Sequence, residues 1–479
     1  MATQLQRSAT PGPRGSAATM RLASLMRDPL GGYLNLAATY GDVVRLPVSP
    51  RASVFLFTRP EHAEHVLASN QDNYVKAFTY RPLRALMGNG LLTSEGEDWR
   101  RHRRLIQPLF SRRDVGNFGP PMTEVTRRML KSWEGLPGGT EIDVAARMSA
   151  LALEIVGQAL FGTDLSGDAA PMSRAISAGQ KVAMLATFVP LSWGPRSTRA
   201  LKAVARRAGG TPEGIDGLVD RMIAERRALT AAAGNGNGAA PGRRDLLHVL
   251  LTARNEDGSR LTDTEIGDEL STFMLAGHET SAVTLSWALA LLSAYPQARD
   301  RLEDEVDSVL TGREPETADA ERLPWTTAVI AETLRLYPPA WTVERDALGD
   351  DSVAGVPVPA GSTVAVPPYL VHRHPDFWPD PAGFDPARFL PAADAAASPA
   401  AAGTSRTRLA ADRPRYAYIP FGGGRRACVG QSFAELETVL VLASIAQRFR
   451  LELTASGIPK PKAAITLRPG RLPMRLLRR

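Results

Sequence analysis

The stretch that most constrains this 479-residue chain is LTDTEIGDELSTFMLAGHETSAVTLSWALALLSAYP, residues 261–296. Thr262 followed three positions later by Glu265 has capping-box spacing, and Tyr295-Pro296 supplies a stop. The pattern predicts one helix of roughly 50 Å, at about 1.5 Å of rise per residue, long enough to cross a domain. Apolar residues fall almost all round it, as expected of a central helix buried on every side. Asp268, Glu269, His278 and Glu279 within it argue against a membrane span, and no other segment offers about 18 uncharged apolar residues in a row.

Around that helix the chain reads as mainly α with a small β-rich subdomain. DVVRLPV (42–48) and SVFLF (53–57) form a predicted hairpin joined by SPRA. From EHAEHVLASN onward, TEVTRRMLKSWE, MSALALEIVGQALF, IDGLVDRMIAERRAL, RRDLLHVLLTAR and ARDRLEDEVDSVL carry apolar residues at three-to-four spacing. Residues 1–20 are expected to be a flexible arm, and 231–240 and 391–415 surface insertions. None divides the chain into self-sufficient halves, so a single domain over 1–479 is expected.

Cys428 is the chain's one cysteine. An internal disulfide, a C-x-x-C redox pair, an iron-sulfur cluster and a multi-cysteine zinc site are therefore all excluded. The N-terminal residues lack an apolar core suited to a signal peptide, so a cytoplasmic protein is expected. Net charge is +7 and the isoelectric point is near 9.7. That balance permits an acidic partner, but zinc-finger spacing, aromatic RNA-binding signatures and a lysine-rich tail are missing from the sequence, so nucleic acid is not the expected partner.

Cys428 lies in FGGGRRACVG, residues 421–430. A thiolate that ligates a metal needs a chain bent back on itself, with backbone N–H groups directed at the sulfur. Gly422, Gly423, Gly424 and Gly430 allow that bending and the close approach of a flat ligand. Phe421 can shield the sulfur, and Arg426 can pair with an anion on the ligand. One thiolate cannot build a structural zinc site, but it can be the one protein bond to a haem iron. Without C-x-x-C-H, covalent haem attachment is not indicated.

The pattern F-x-x-G-x-R-x-C-x-G, filled by Phe421, Gly424, Arg426, Cys428 and Gly430, resembles the haem-ligand signature of the cytochrome P-450 superfamily, bacterial soluble type. Three further motifs extend the resemblance over nearly the whole chain. Glu332 and Arg335 in ETLR, with Arg388 in FDPARF, resemble a buried structural network. AGHET, 276–280, combines a mid-helix glycine with a threonine able to bond back to a carbonyl. The resemblance makes Glu279 and Thr280 the acid-alcohol pair that delivers protons, with Ala276 and Gly277 making room for oxygen and substrate. In EDWRRHRRLIQPLF, Trp99 and Arg103 are i, i+4 neighbours able to donate to carboxylates. By resemblance they hold a haem propionate together with Arg345 and Arg426. Arg101, Arg104 and His102 read as an exposed face.

For fold and cofactor, the resemblance implies a P-450 fold with haem b buried between the central helix and the cysteine loop. The expected activity is O₂-dependent hydroxylation of a lipophilic small molecule in bacterial secondary metabolism, with a terpenoid, fatty-acid-like or polyketide substrate. An axial thiolate favours O–O cleavage. No flavin region follows the haem region, so electrons are expected from a separate ferredoxin or flavodoxin and its NAD(P)H-dependent reductase. Arg100, Arg101, Arg104, Arg413, Arg415 and Arg425 are candidates for steering that acidic partner. A monomer is expected. Candidate pocket segments are 78–87, 183–193, 273–276 and 338–343, with Phe78, Phe188, Phe273 and Trp341 as bulky walls. Alternatives left open are epoxidation, desaturation, ring coupling or peroxygenase chemistry, and, remotely, a haem-binding sensor.

Overall fold

A computed structural model describes residues 10–48, 53–167, 169–187, 195–209, 214–232, 245–390 and 413–479. They fall into two compact units, each assembled from separate stretches of chain.

The first unit comprises Met1–Phe78, Ala340–Gly383 and Arg413–Cys428. Its frame is a five-stranded sheet in the spatial order Val43–Pro47, Ser53–Phe57, Thr363–Val366, Val343–Ala347, Tyr74–Lys76. The hairpin read from the sequence is there, antiparallel, with Val43 opposite Phe57. β-Branched and aromatic side chains suit such a pleated, half-buried surface. Phe55, Phe57, Val364 and Val366 join Val66, Leu67, Tyr416 and Ile419 in one buried cluster. The segment leading into Cys428 is thereby anchored on the sheet's apolar core, through Tyr416 and Ile419. The Ile419 N–H also donates to buried His372 Nε2 at 2.8 Å. At the N-terminus, Ser16–Arg27 is helical, so the arm expected over residues 1–20 gives way to structure at Ser16.

The second unit comprises Thr79–Pro339, Phe384–Asp412 and Val429–Arg479. The central helix runs Asp263–Ala294 with both halves of the Thr262/Glu265 capping box formed. It is buried along nearly its whole length, against Val144–Leu160, Gly214–Ala232, Pro324–Leu336 and Gln431–Arg448. Trp287 from its C-terminal half stacks on Tyr337 with centroids 3.9 Å apart, and its indole N–H donates to the Leu467 carbonyl at 2.8 Å. A three-stranded sheet, ordered Glu141–Asp143, Pro473–Arg478, Phe449–Leu453, completes this unit. Of the two predicted insertions, 233–240 and 391–412 lie outside the described residues.

Candidate active site

The candidate residues divide between the units. In the first, the cysteine loop is built from backbone freedom. Gly422 and Gly424 adopt φ of +72° and +64°, a region that favours glycine. At Gly424 a side chain is also excluded sterically, because a Cβ would lie 1.8 Å from the Leu67 carbonyl oxygen. Leu67 belongs to a π-helical turn, His65–Ser69; such turns are rare and frequent at functional sites. Just beyond it, Gln71 Oε1 accepts the Arg425 N–H at 2.8 Å, and the Arg425 guanidinium pairs with Asp72. The loop closes when the Cys428 N–H donates to the Phe421 carbonyl at 2.9 Å.

Cys428 is exposed at the end of this turn, after the 3₁₀ segment Gly424–Arg426. Phe421 and Arg426 are half-buried in the same loop. Arg345 lies on the sheet, paired in register with Val364 and Lys76, and donates to the Glu344 carbonyl at 2.8 Å. These residues fit a thiolate-ligated haem: one accessible sulfur on a glycine-hinged turn and a guanidinium two residues before it. Among the described residues no group of three or more His, Cys, Asp or Glu could hold a metal ion. A porphyrin brings the iron's in-plane ligands with it, so Cys428 can serve as the one protein bond to a haem iron.

In the second unit, Trp99 is buried and Arg103 half-buried on the helix Gly96–Ile106, and Arg103 Nε donates to Gln107 at 2.8 Å. Between them, His102 departs from its expected exposure: it is buried, with Nδ1 2.7 Å from Glu269 Oε1 on the central helix. Arg101 is also turned to that helix, paired with Glu265, while Arg104 is exposed and pairs with Glu256.

The central helix stays continuous through Ala276–Thr280. Gly277 admits the neighbouring helix, since a Cβ there would meet Val156 Cγ2 at 3.0 Å. The Thr280 hydroxyl donates to the Ala276 carbonyl at 2.7 Å. Buried Glu279 accepts from the Thr466 hydroxyl and forms an ion pair with Arg468, partners that no local motif had indicated. Beside it, burial lowers the His278 imidazole to about 4, and its Nε2 lies 2.9 Å from the Ser149 hydroxyl.

Glu332 is fully buried and gathers four donors: Arg335 Nε at 2.6 Å and Nη2 at 2.7 Å, Arg388 Nε at 3.1 Å, and the Asp385 N–H at 2.9 Å. Gly430 caps the helix Gln431–Arg448 that follows the cysteine. Phe273 stacks on Phe110 at 5.4 Å and Trp341 packs on Tyr33 at 5.8 Å, so both are core aromatics. Phe78 is on the surface, and Phe188 lies outside the described residues. Of the steering candidates, Arg100 and Arg425 also have in-chain partners, Glu97 and Asp72; Arg413 and Arg415 lie over the rings of Trp378 and Tyr416.

The chain belongs to the cytochrome P450 family, whose model matches residues 15–473. It is 35% identical over 448 residues to cytochrome P450 132 of Mycobacterium tuberculosis, covering 89% of this chain and 88% of that protein. Cyclooctat-9-en-7-ol 5-monooxygenase of Streptomyces melanosporofaciens is 34% identical, with 89% and 86% covered. Pentalenene oxygenase of Streptomyces avermitilis is 33% identical, with 95% and 94% covered. The chain is a cytochrome P450 monooxygenase, mainly helical with small sheets, an oxidoreductase whose family uses haem, O₂ and a source of electrons. No described helix is long and apolar enough to cross a membrane.

Proposed function

We propose that residues 1–479 act as one domain that binds haem b through the Cys428 thiolate and hydroxylates a lipophilic, terpenoid-type small molecule in bacterial secondary metabolism. The observation that carries the proposal is the exposed Cys428 sulfur on a turn whose two positive-φ glycines and Leu67 contact leave little alternative geometry. Support for the substrate class comes from the two Streptomyces relatives, whose names carry cyclooctat-9-en-7-ol and pentalenene.

When bound, a thiolate-ligated haem supplies O₂ activation. The chain's own residues bind and orient it: Trp99, Arg103, Arg345 and Arg426 are assigned to the propionates, Phe421 and the loop glycines to the sulfur side. Glu279 and Thr280 are assigned to proton delivery, Ala276 and Gly277 to the oxygen and substrate space, and Glu332, Arg335 and Arg388 to rigidity. Electrons are assigned to an external ferredoxin or flavodoxin with its NAD(P)H-dependent reductase, and the protein to the cytoplasm as a monomer. Arg100, Arg101, Arg104, Arg413, Arg415 and Arg425 are assigned to steering that partner, and Arg100, Arg101, Arg104 and Arg425 pair with in-chain carboxylates as well. Steering of this kind weakens with salt.

The test is the absorption spectrum of dithionite-reduced protein with carbon monoxide, beside Cys428→Ser. A strongly red-shifted Soret band that the substitution abolishes is expected. Folded, haem-supplied protein that binds no haem would overturn the proposal, as would haem whose carbon monoxide band is unshifted in the unsubstituted protein. Oxidation of a cyclic terpene with an added redox partner then tests the substrate class; turnover restricted to fatty acids would replace it.

A further inference from the structure

The π-turn His65–Ser69 and the residues just after it, which lie against the cysteine loop, are also tied to one carboxylate outside that loop. Asp351 opens the short strand Asp351–Val353. Its Oδ2 accepts the Tyr74 hydroxyl at 2.6 Å and lies 2.9 Å from His65 Nε2, and its Oδ1 accepts the Ser352 N–H at 2.7 Å. The Asp351 side chain is only 10% exposed. Burial opposes its ionisation, yet hydrogen bonds from Tyr74, His65, the Ser352 N–H and Asn70 outweigh that and hold Asp351 below the ordinary aspartate range. An ionised carboxylate only accepts, so His65 donates to it from Nε2. A second tie runs beside the first: Asn73 Nδ2 donates to the Gly349 carbonyl at 3.1 Å, and its Oδ1 accepts the Gly349 N–H at 2.8 Å. All of these groups belong to the first unit.

A π-turn closes on a hydrogen bond that spans five residues where an α-helix spans four, and here the Asn70 N–H donates to the His65 carbonyl at 2.9 Å. Such a turn is rare, so its ends have to be fixed from outside. Asp351 does this, because His65 is the turn's first residue, Tyr74 opens the strand Tyr74–Lys76 beyond its end, and both donate to the same oxygen. The chain between them cannot expel its extra residue without breaking one of the two bonds. Slipping by one residue would shift the turn by about 1.5 Å and rotate it by about 100°, the step of an α-helix. The atoms moved are those that shape the cysteine loop: the Leu67 carbonyl, which excludes a Cβ at Gly424, and Gln71 Oε1, which accepts the Arg425 N–H at 2.8 Å.

We propose that Asp351 is a positioning residue for the Cys428 loop: by holding His65 and Tyr74 on one oxygen it keeps the π-turn wide, and the turn holds the loop at Gly424 and Arg425. The role is one of placement, with no proton or electron transferred. Its purpose rests on the haem-thiolate reading, while the coupling between the carboxylate and the loop does not.

Hydrogen–deuterium exchange of the full, haem-supplied chain, read by mass spectrometry on peptides covering 65–74 and 421–428, tests the coupling. The second peptide contains the bonded N–H groups of Arg425 and Cys428. Asp351→Ala is expected to speed exchange about tenfold or more in both segments. Tyr74→Phe and His65→Phe, which each remove one donor and leave the carboxylate, should do so to a smaller extent. Asp351→Asn keeps one acceptor oxygen and should recover part of the protection. Asp42→Ala is the control, because that carboxylate accepts from Thr58 and Arg59 in the same unit and none of its hydrogen bonds reaches either segment. It should leave 421–428 protected. Faster exchange in 65–74 with 421–428 unchanged, in Asp351→Ala or in the milder Tyr74→Phe, would overturn the proposal, as would equal loosening of 421–428 in Asp42→Ala. The reduced carbon monoxide spectrum reads the consequence. At the same interval below each variant's melting temperature, Asp351→Ala should show a larger share of unshifted Soret band than Asp42→Ala, and equal shares would remove the link to thiolate ligation. A wild type without a shifted band would count against the haem-thiolate reading alone, since exchange decides the coupling independently.

Discussion

His102 Nδ1 lies 2.7 Å from Glu269 Oε1, with the side chains 2% and 0% exposed. The contact pins the helix that carries Trp99 and Arg103 to the central helix from the inside. Removing one partner of a buried pair strands the other without compensation. Glu269→Ala is expected to cost about 2–5 kcal/mol, read as a drop in denaturant midpoint at unchanged slope. The double substitution His102→Leu with Glu269→Leu should restore much of that loss, because an apolar pair of suitable volume needs no hydrogen bond. Additive losses in the double variant would show that the two side chains are not coupled.

The glycines of the cysteine turn separate two causes that sequence alone merges. Gly422 needs positive φ but has open space where a Cβ would stand; Gly424 needs positive φ and abuts the Leu67 backbone. Gly422→Ala is expected to cost about 1–2 kcal/mol, the strain of a left-handed alanine. Gly424→Ala should cost clearly more and lower haem retention, since the obstacle is a carbonyl and cannot rotate away. Equal melting temperatures and haem content for the two variants would leave the Leu67 contact without a role.

Glu332 is the common acceptor of Arg335, Arg388 and the Asp385 N–H. Glu332→Ala leaves two largely buried guanidinium groups facing each other, with an expected loss of about 3–5 kcal/mol. Arg388→Lys keeps the charge but loses the planar fork, so a smaller loss is expected. Thermal melts of both variants check the order; a milder effect for Glu332→Ala than for Arg388→Lys would contradict it.

The range of each interaction decides whether it was legible in the sequence. The central helix could be read because cap, stop and all-round apolar pattern are local. The hairpin 43–57 was legible for the same reason. His102 was not, because R-R-H-R-R reads locally as a solvated face and its partner is far away in the chain. Glu279's partners Thr466 and Arg468 arrive from a C-terminal segment without a motif of its own. Glu437 had an available signal: TVLVLA, residues 438–443, is apolar on every helical face, so a carboxylate one position before it falls in a buried helix. The glycine loop was legible as a turn, but the Leu67 carbonyl that makes Gly424 sterically special comes from a π-turn that periodicity alone does not distinguish.

Two buried groups set opposing pH dependences. Burial lowers His278 from 6.5 to about 4, so its contribution is present above 6.5 and is lost as pH falls towards 4. Burial raises Glu437 from 4.5 to about 8, so its contribution is full below 4.5 and is lost as pH rises through 8. Between 4.5 and 6.5 the two slopes oppose each other, and above 6.5 Glu437 acts without that opposition. Stability should therefore fall between pH 6.5 and 8 by up to about 1.4 kcal/mol per pH unit, the slope of one proton. Glu437→Gln cannot ionise, and its curve should be flatter by that amount over this interval. Denaturant unfolding at several pH values measures both curves; parallel curves for wild type and Glu437→Gln would mean that Glu437 does not change its proton occupancy on folding.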